Sequence, residues 1–351
     1  MKLTNFTYNS WDWHLENLEL DTVNLIVGKN AVGKSKTIAA LNEVILLLLQ
    51  KLANNPFNVN CKLTFTEKEE KIEYEFNISD KIIKEEYLTV DGKELLNRQE
   101  TQANLHNEDI NPPENKLVLH VRRDIKQYPY IEKIMQWAEN SHGVLFNELD
   151  YSGDSSVYSY LMVQAESLYN MTSALTTSSV KKVIKTVKGM GYPIKNIRIQ
   201  DPAKLKAVEF LEEGVDHYLW YFDLSKGMYR TIYLLIFVEY LATLKTPKML
   251  VIDDLCEGLD YDRATKLGKF LFDFCLENDI QLIASSNDNF LMDVVDIQYW
   301  NVLQRNGEVV TAINKHNNPQ LFENFSYTGL SNFDFFSSDY IARHNGKQKN
   351  E

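Results

Sequence analysis

The stretch Val23-Asn24-Leu25-Ile26-Val27-Gly28-Lys29-Asn30-Ala31-Val32-Gly33-Lys34-Ser35 decides the fold. Val23 to Val27 is a short apolar run, the pattern of a strand covered on both faces. Gly28 to Ser35 fits G-x-x-x-x-G-K-[ST], and Thr37 to Leu49 continues as a glycine-free apolar helix. The pattern therefore lies between strand and helix, where its chemistry needs it. Gly28 and Gly33 let the backbone N–H groups of Lys29, Asn30, Ala31 and Val32 turn into one concavity. The helix N-terminus adds its dipole there, and phosphate oxygens fit the result. Lys34 then neutralises β and γ phosphates, the Ser35 hydroxyl takes one position on Mg2+, and Lys36 follows in the first helical turn.

Around this segment the chain has 351 residues, 44% of them hydrophobic and 25% charged, with a net charge of −12. Such a composition gives a globular protein larger than one minimal core, either one large α/β unit or two lobes. An acidic balance of that size excludes a uniformly basic nucleic-acid coat. Cys61, Cys256 and Cys275 are far apart and form no CxxC pair, so neither a disulfide framework nor a thiolate zinc site is indicated, and a reducing cytoplasm is expected. Met1 to Phe6 lacks the apolar run of a signal peptide, and Val44 to Leu49 is too short to span a bilayer, so no membrane association is expected.

Before the phosphate loop, Lys2 to Phe6 and Leu15 to Leu20 alternate like strands. Beyond its helix, residues 55–116 read as an antiparallel β insert, with strands over Cys61–Thr66, Lys71–Ile78 and Tyr87–Val90 and a turn at Asp91-Gly92. Arg98 to Asn115 reads as a polar surface loop and Lys116 to Val121 as a strand. Residues 117–224 read as a helical lobe without a sustained heptad. Between Met171 and Gln200 stand six basic residues, Lys181, Lys182, Lys185, Lys188, Lys195 and Arg198, and no acidic ones. At helical spacing Lys181, Lys185 and Lys188 share a face that suits a phosphodiester backbone or an acidic partner; a solvated helix face is the plainer reading. Arg122-Arg123-Asp124 suits a phosphate, a subunit interface or a surface ion pair.

The second half carries a matching set. Leu224-Ser225-Lys226-Gly227-Met228 precedes an apolar helix reaching Leu244, so Ser225 and the N–H groups after it, Gly227 included, sit at a helix N-terminus suited to an anion. Alternatively, Ser225 is an ordinary N-cap. Met249-Leu250-Val251-Ile252-Asp253-Asp254 reads as a central parallel strand with carboxylates at the edge where ligands of open α/β sheets bind. Asp253 suits Mg2+ held through water, and Asp254 suits a group that orients or deprotonates an attacking water. A turn ending in Leu259-Asp260 follows, then a strand from Gln281 to Ala284 with the polar tip Ser285-Ser286-Asn287-Asp288.

Phosphate loop, LSxG, four apolar residues before Asp-Asp, a Leu-Asp turn and a polar-tipped strand, in this order, resemble the ATP-binding-cassette ATPases. The closer likeness is to their soluble branch of structural-maintenance-of-chromosomes heads, recombination mediators and OLD-like phage-defence ATPases. The resemblance implies a P-loop α/β fold of ABC type: a mixed sheet with an antiparallel insert and a helical lobe. It implies ATP and Mg2+ as ligands and two heads dimerised head to tail around two ATP molecules. Ser225 and Gly227 would then act on the other chain's nucleotide, with Asp260 at the seam. It divides the chain into an ATPase head over 1–316, built from segments 1–54, 55–116, 117–224 and 225–316, and an aromatic tail over 317–351.

Departures from the family pattern accompany the likeness. Asp254 stands where the family usually has a catalytic glutamate, and Asn287 where it usually has a switch histidine. Lys226 and Met228 replace a glycine and a glutamine. Slow hydrolysis is therefore expected, with ATP acting as a dimerisation switch. Gln127 is the nearest candidate for a glutamine that senses the γ-phosphate through the metal. The tail from Phe322 to Tyr340 carries seven aromatics with little helical periodicity, suited to docking on the chain's own core or to a partner. No nuclease constellation follows the cassette motifs, so any cutting chemistry falls to a separate effector, and the resemblance suggests antiviral defence. A DNA-repair clamp gripping nucleic acid through residues 181–198 and a non-hydrolysing ATP-locked scaffold share the same motifs.

Overall fold

The computed structural model describes residues 1–144, 167–200, 206–246, 248–337 and 340–341. These form two compact units. The first comprises Met1–Val144, Thr246–Asp254 and Gln281–Glu351; the second comprises Leu145–Lys245 and Leu255–Ile280.

The first unit is organised by a sheet of fourteen strands in the order β10-β14-β15-β3-β16-β17-β2-β1-β4-β5-β6-β7-β8-β9. The fourth strand from one edge is β3 (Val23–Val27), every residue of which is buried, as the apolar run requires. β15 (Ile280–Ser285) and β16 (Trp300–Asn306) pair parallel with β3 on either side. β10 (Ser141–Val144) runs parallel to β14 (Lys248–Ile252), with Val144 opposite Ile252. β16 turns back into β17 (Val309–Ile313) at the Asn306-Gly307 hairpin. β17 pairs with β2 (Trp13–Glu19), and the sheet then continues antiparallel through β1 (Lys2–Ser10) into β4 (Asn58–Glu67), β5 (Glu70–Ser79), β6 (Ile82–Val90), β7 (Lys93–Gln99), β8 (Gln102–Leu105) and β9 (Glu108–Ile110). The insert is therefore an extension of the main sheet.

Helices α1 (Lys34–Leu48), α2 (Val118–Val121) and α3 (Pro129–Glu139) share one core with this sheet, in which Trp13, Ile38, Leu41, Phe65 and Trp137 are each at most 1% exposed. Trp137 meets Phe65 edge-on at 4.8 Å.

Three expectations are corrected in this unit. Residues 118–121 are a helical turn, because the N–H groups of Val118 and Leu119 point at the buried carboxylate of Glu86 and need a helix start to converge there. The stretch from Arg98 holds β8 and β9, and Arg98 is fully buried because its guanidinium collects the carbonyls of Glu100, Pro113 and Lys116. The tail forms helices over Pro319–Ser326 and Asn332–Ser337, whose Phe322, Phe325 and Phe335 pack together beside Trp300. Those three aromatics serve the chain's own core, as one of the two sequence readings has it, whereas Tyr327 is 81% exposed, and residues 342–351 lie outside those described.

The second unit holds helices over Thr177–Gly189, Lys226–Thr243 and Tyr261–Glu277. The middle one buries nearly its whole length from Tyr229 to Leu241. Beside its helices, the lobe expected to be helical over 117–224 carries a three-stranded antiparallel sheet of β11 (Ile194–Gln200), β12 (Ala207–Glu212) and β13 (Leu219–Trp220). From Asn196 to Gln200 polar and apolar residues alternate, a period of two.

Candidate functional site

The backbone of the phosphate loop is shaped for approach. Ala31 has φ 65° and Gly33 has φ 110°, a left-handed conformation that favours glycine. A Cβ on Gly28 would lie 2.7 Å from Val32 Cγ2 and 3.1 Å from the Leu303 carbonyl, so β16 closes one side of the loop. Lys34 is 6% exposed, and its ammonium donates to the carbonyls of Gly28 at 2.8 Å and Lys29 at 3.3 Å. Burial pulls its pKa below the usual lysine range, and the Asp254 and Asp253 carboxylates oppose that pull. Lys29, Asn30, Ser35 and Lys36 are exposed around the loop. Lys36 pairs with Asp12 at 3.2 Å and lies over the Trp13 ring.

The two carboxylates follow β14 directly. Asp253 is 8% exposed and accepts a 2.5 Å hydrogen bond from the Ser285 hydroxyl. Asp254 leaves the strand with φ 46°, and its N–H donates to the same Ser285 Oγ at 2.9 Å. Two residues past Ser285, Asn287 is exposed, and Asp288 caps the helix Asn289–Val294. Within the first unit the structure thus joins Lys34 electrostatically with Asp253 and Asp254, and fastens β15 to both acids.

This donor set fits Mg2+. Ser35 and Asp253 offer hard oxygens, and the described residues hold no group of three His, Cys, Asp or Glu side chains able to cage an ion. Ser35 and Asp253 are the side chains that would give Mg2+ part of an octahedral oxygen shell, the rest being left to nucleotide phosphates and water.

In the second unit Ser225 is exposed and caps Lys226–Thr243, accepting from the Met228 N–H at 3.3 Å. A Cβ on Gly227 would lie 2.9 Å from Leu259 Cδ2 and 3.2 Å from the Gly258 carbonyl, so a side chain there would press on the turn that the helix start meets. Asp260 caps Tyr261–Glu277 through the Arg263 N–H at 3.0 Å and pairs with the Arg263 guanidinium at 2.6 Å. The Arg263 backbone bond is the largest cause that holds its carboxyl below the usual range. Arg263 in turn covers the Tyr192 ring at 4.4 Å. Asp260 thus has a structural task within its own chain.

Other sequence candidates are placed less favourably. Gln127 lies in an exposed turn before α3, its N–H spent on Asp124 Oδ1 at 3.0 Å. The strand that reaches the edge of Asp253 from this region is β10, ending at Val144, and the residues that follow lie outside those described. Of the six basic residues, Lys182 pairs with Glu239, Lys188 with Glu213 and Arg198 with Glu209. Arg123 is an ion-pair residue, held by Glu132 and Glu139.

Sequence reading passed over a cavity of about 550 Å³ beside α1, lined by Tyr8, Trp11, Asp12, Trp13, Lys36 and Phe57 among others. Trp11 is 77% exposed and tilts against Phe57 at 6.4 Å. The available signal was Trp11-Asp12-Trp13, two of only five tryptophans flanking an acid in a turn.

A family profile described as "AAA domain, putative AbiEii toxin, Type IV TA system" matches residues 23–293. No curated protein matches the sequence. Among solved structures, the chain is similar to an SMC head bound to the C-terminal winged-helix domain of ScpA, with 10% identity, 89% of this chain and 96% of that chain covered, and a TM-score of 0.53. It is also similar to an SMC head with an extended coiled coil bound to the C-terminal domain of ScpA, derived from Pyrococcus furiosus, with 9% identity, 92% and 99% covered, and a TM-score of 0.55. At such identities the likeness speaks for the fold, which is that of the P-loop ATPase heads.

Proposed function

The chain belongs to the AAA-domain family described as putative AbiEii toxin of type IV toxin–antitoxin systems, an ATPase of SMC-head and AAA-like kind, and from that premise we propose that it binds ATP with Mg2+, dimerises head to tail around it, hydrolyses it slowly and so gates a separate effector. The observation that carries this reading is the buried Lys34 ammonium folded into its own loop with Asp253 and Asp254 as its acidic neighbours.

Phosphates entering the loop replace the Gly28 and Lys29 carbonyls as partners of Lys34. Backbone N–H groups from Lys29 to Lys34 and the N-terminus of α1 receive the remaining oxygens. Trp11 and Phe57 offer an aromatic platform for the base beside α1. Ser35 and Asp253 would hold Mg2+, which when bound would supply positive charge to screen the phosphate oxygens. Asp254 accepts the proton of the attacking water as the new oxygen–phosphorus bond forms and the bond to the β–γ bridging oxygen breaks. Asn287 donates a hydrogen bond to the γ-phosphate but carries no charge to it. A carboxylate one methylene shorter than glutamate and a neutral switch residue both favour slow turnover.

Head-to-tail assembly gives Ser225 its purpose, since its exposed helix N-terminus suits the γ-phosphate of a second copy. The family description, which speaks of toxin–antitoxin pairs, supports a partner working with this chain, and we read that pairing as defence against phage. Among the described residues no helix is long and apolar enough to cross a membrane.

Light scattering of the purified chain with and without ATP–Mg2+ tests the assembly. The mass is expected to double with ATP, and Lys34→Ala and Ser225→Arg are each expected to abolish the rise, the second while ATP still binds. ATP binding with an unchanged mass in every variant overturns the sandwich.

A further inference from the structure

The hydroxyl of Ser285 stands at the junction of the two acidic residues that the site places after β14. It is completely buried, donates to Asp253 Oδ1 at 2.5 Å and accepts the Asp254 N–H at 2.9 Å. A serine hydroxyl has one proton, and spending it on Asp253 leaves a lone pair facing Asp254, so the two bonds are compatible and mutually orienting. Asp254 sits in the left-handed region, φ 46°, which Asp adopts more readily than most residues though it stays uncommon outside glycine.

We propose that Ser285 is a positioning residue for the hydrolytic site, holding Asp253 toward the metal and locking Asp254 in the backbone turn that aims its short carboxylate. The assignment rests on the ATPase reading of this site. One oxygen of Asp253 is committed to Ser285, which fixes the plane of the carboxylate and presents the other oxygen for a metal-bound water. Asp254 does not continue the alternation of β14, so its side-chain direction is set by the turn, and the turn is held by Ser285. A carboxylate with one methylene fewer than glutamate has less reach with which to correct a misaimed backbone, which makes this hold matter more here. Ser285 also lies two residues before Asn287 on the same chain segment, so displacement of Asn287 toward a γ-phosphate reaches both acids through one hydroxyl.

The test compares the wild-type chain with Ser285→Ala and Ser285→Cys, the latter keeping the branching of the side chain, with a larger atom at its tip, while weakening the donor. Three quantities are read: kcat, the divalent concentration giving half-maximal Mn2+ binding to the protein–ATP complex by electron paramagnetic resonance, and ATP affinity in the absence of divalent ions. Both variants are expected to lower kcat by about 10- to 100-fold and raise the Mn2+ midpoint by about 10-fold, the size of a lost hydrogen bond to a charged group. Metal-free ATP affinity is expected to stay within about 2-fold, since the loop is untouched. Wild-type kcat and Mn2+ midpoint in the variants overturn the assignment, and so does a loss of metal-free ATP affinity as large as the loss of kcat, which marks a general packing role. If Ser285→Ala does not fold, Ser285→Cys alone decides by the same criteria. A wild-type chain that binds no ATP overturns the ATPase reading itself, whereas normal wild-type binding with indifferent variants overturns only the role of Ser285.

Discussion

The ammonium of Lys34 lies 2.8 Å from the carbonyl oxygen of Gly28, the residue that opens its own phosphate loop. The loop is thus closed on an internal cation, and nucleotide phosphate competes with backbone carbonyls for it. Lys34→Ala removes the cation that the phosphates would meet, so ATP affinity is expected to fall at least about 100-fold, the scale of several charge-assisted hydrogen bonds. Far-UV circular dichroism is expected to be unchanged. Equilibrium titration with a fluorescent ATP analogue checks it, and retained affinity would remove Lys34 from the site.

Asp254 separates backbone from chemistry. Its φ of 46° is tolerated by Asn, which visits the left-handed region as readily as Asp, so Asp254→Asn is expected to melt like the wild type while kcat drops by about 10²- to 10³-fold. Asp254→Ala meets the full left-handed penalty and is expected to lose an additional ~1 kcal/mol of stability. Paired thermal melts and turnover assays distinguish the two. Equal melting of both variants would mean that the turn carries no strain.

What was legible in the sequence follows from how local each signal is. The phosphate loop was readable because its glycines, lysine and serine act within one strand-to-helix turn, and the Asp253-Asp254 strand because its apolar run ends where its acids begin. The basic stretch at 181–198 left a solvated face and an anion-binding face both open, because the acids that pair with Lys182, Lys188 and Arg198, namely Glu239, Glu213 and Glu209, are remote in sequence and arrive only through β12, its following turn and the helix Lys226–Thr243. Lys116 to Val121 looked like a strand because the reason for its helical turn, the buried Glu86, lies thirty-two residues before Val118. Asp260 matched a family position while its geometry serves Arg263. Ser285 was visible as a polar tip, but that it bridges two acids on a neighbouring strand is a tertiary fact.

Glu86 and Arg98 are both fully buried and approach at 3.5 Å. Glu86 also accepts from Tyr74 and from the N–H groups that begin α2, so one carboxylate joins β5, β6 and α2. Glu86→Ala leaves a buried guanidinium without its anion and three donors without an acceptor, and is expected to destabilise the chain by about 3–5 kcal/mol. Glu86→Gln keeps an acceptor and is expected to cost less. Urea denaturation measures both, and a loss below about 1 kcal/mol for Glu86→Ala would show the network to be dispensable.

Stability depends on two imidazoles that folding keeps neutral. Burial lowers His120 and His142 to about 4, whereas the unfolded chain titrates them near the ordinary 6.5. Between these values the unfolded state binds protons that the folded state refuses. Stability is therefore whole above pH 6.5, declines as pH falls through the window and has lost the full amount, up to about 3 kcal/mol for each imidazole, below about pH 4. Glu132, held low by Arg123, loses its contribution in the same direction at lower pH. Glu86 acts oppositely, because burial raises its carboxyl and the folded state takes up that proton first. Urea midpoints from pH 7.5 to 5 are expected to fall in the wild type and to flatten in the double variant His120→Asn/His142→Asn. An equal slope in both would assign the acid sensitivity elsewhere.

The helix Thr177–Gly189 sets the limit on nucleic-acid binding. Its Val183 and Val187 are buried, so its cations point outward, but Lys182 and Lys188 are engaged by Glu239 and Glu213, and Arg198 on β11 by Glu209 while stacked on Tyr218 at 3.5 Å. That leaves Lys181, Lys185 and Lys195 to meet a phosphodiester backbone, and displacing the carboxylates would cost what the ion pairs return. Three phosphate contacts give a log–log salt slope of about −2.7 on duplex DNA, against −6 or steeper for a dedicated clamp. Fluorescence anisotropy across 50–200 mM salt measures the slope, and Lys181→Glu with Lys185→Glu is expected to change affinity by less than about 10-fold at 150 mM, where exposed charges are screened beyond about 8 Å. A slope near −6 that these substitutions halve would restore the clamp and place nucleic acid among the ligands of the second unit.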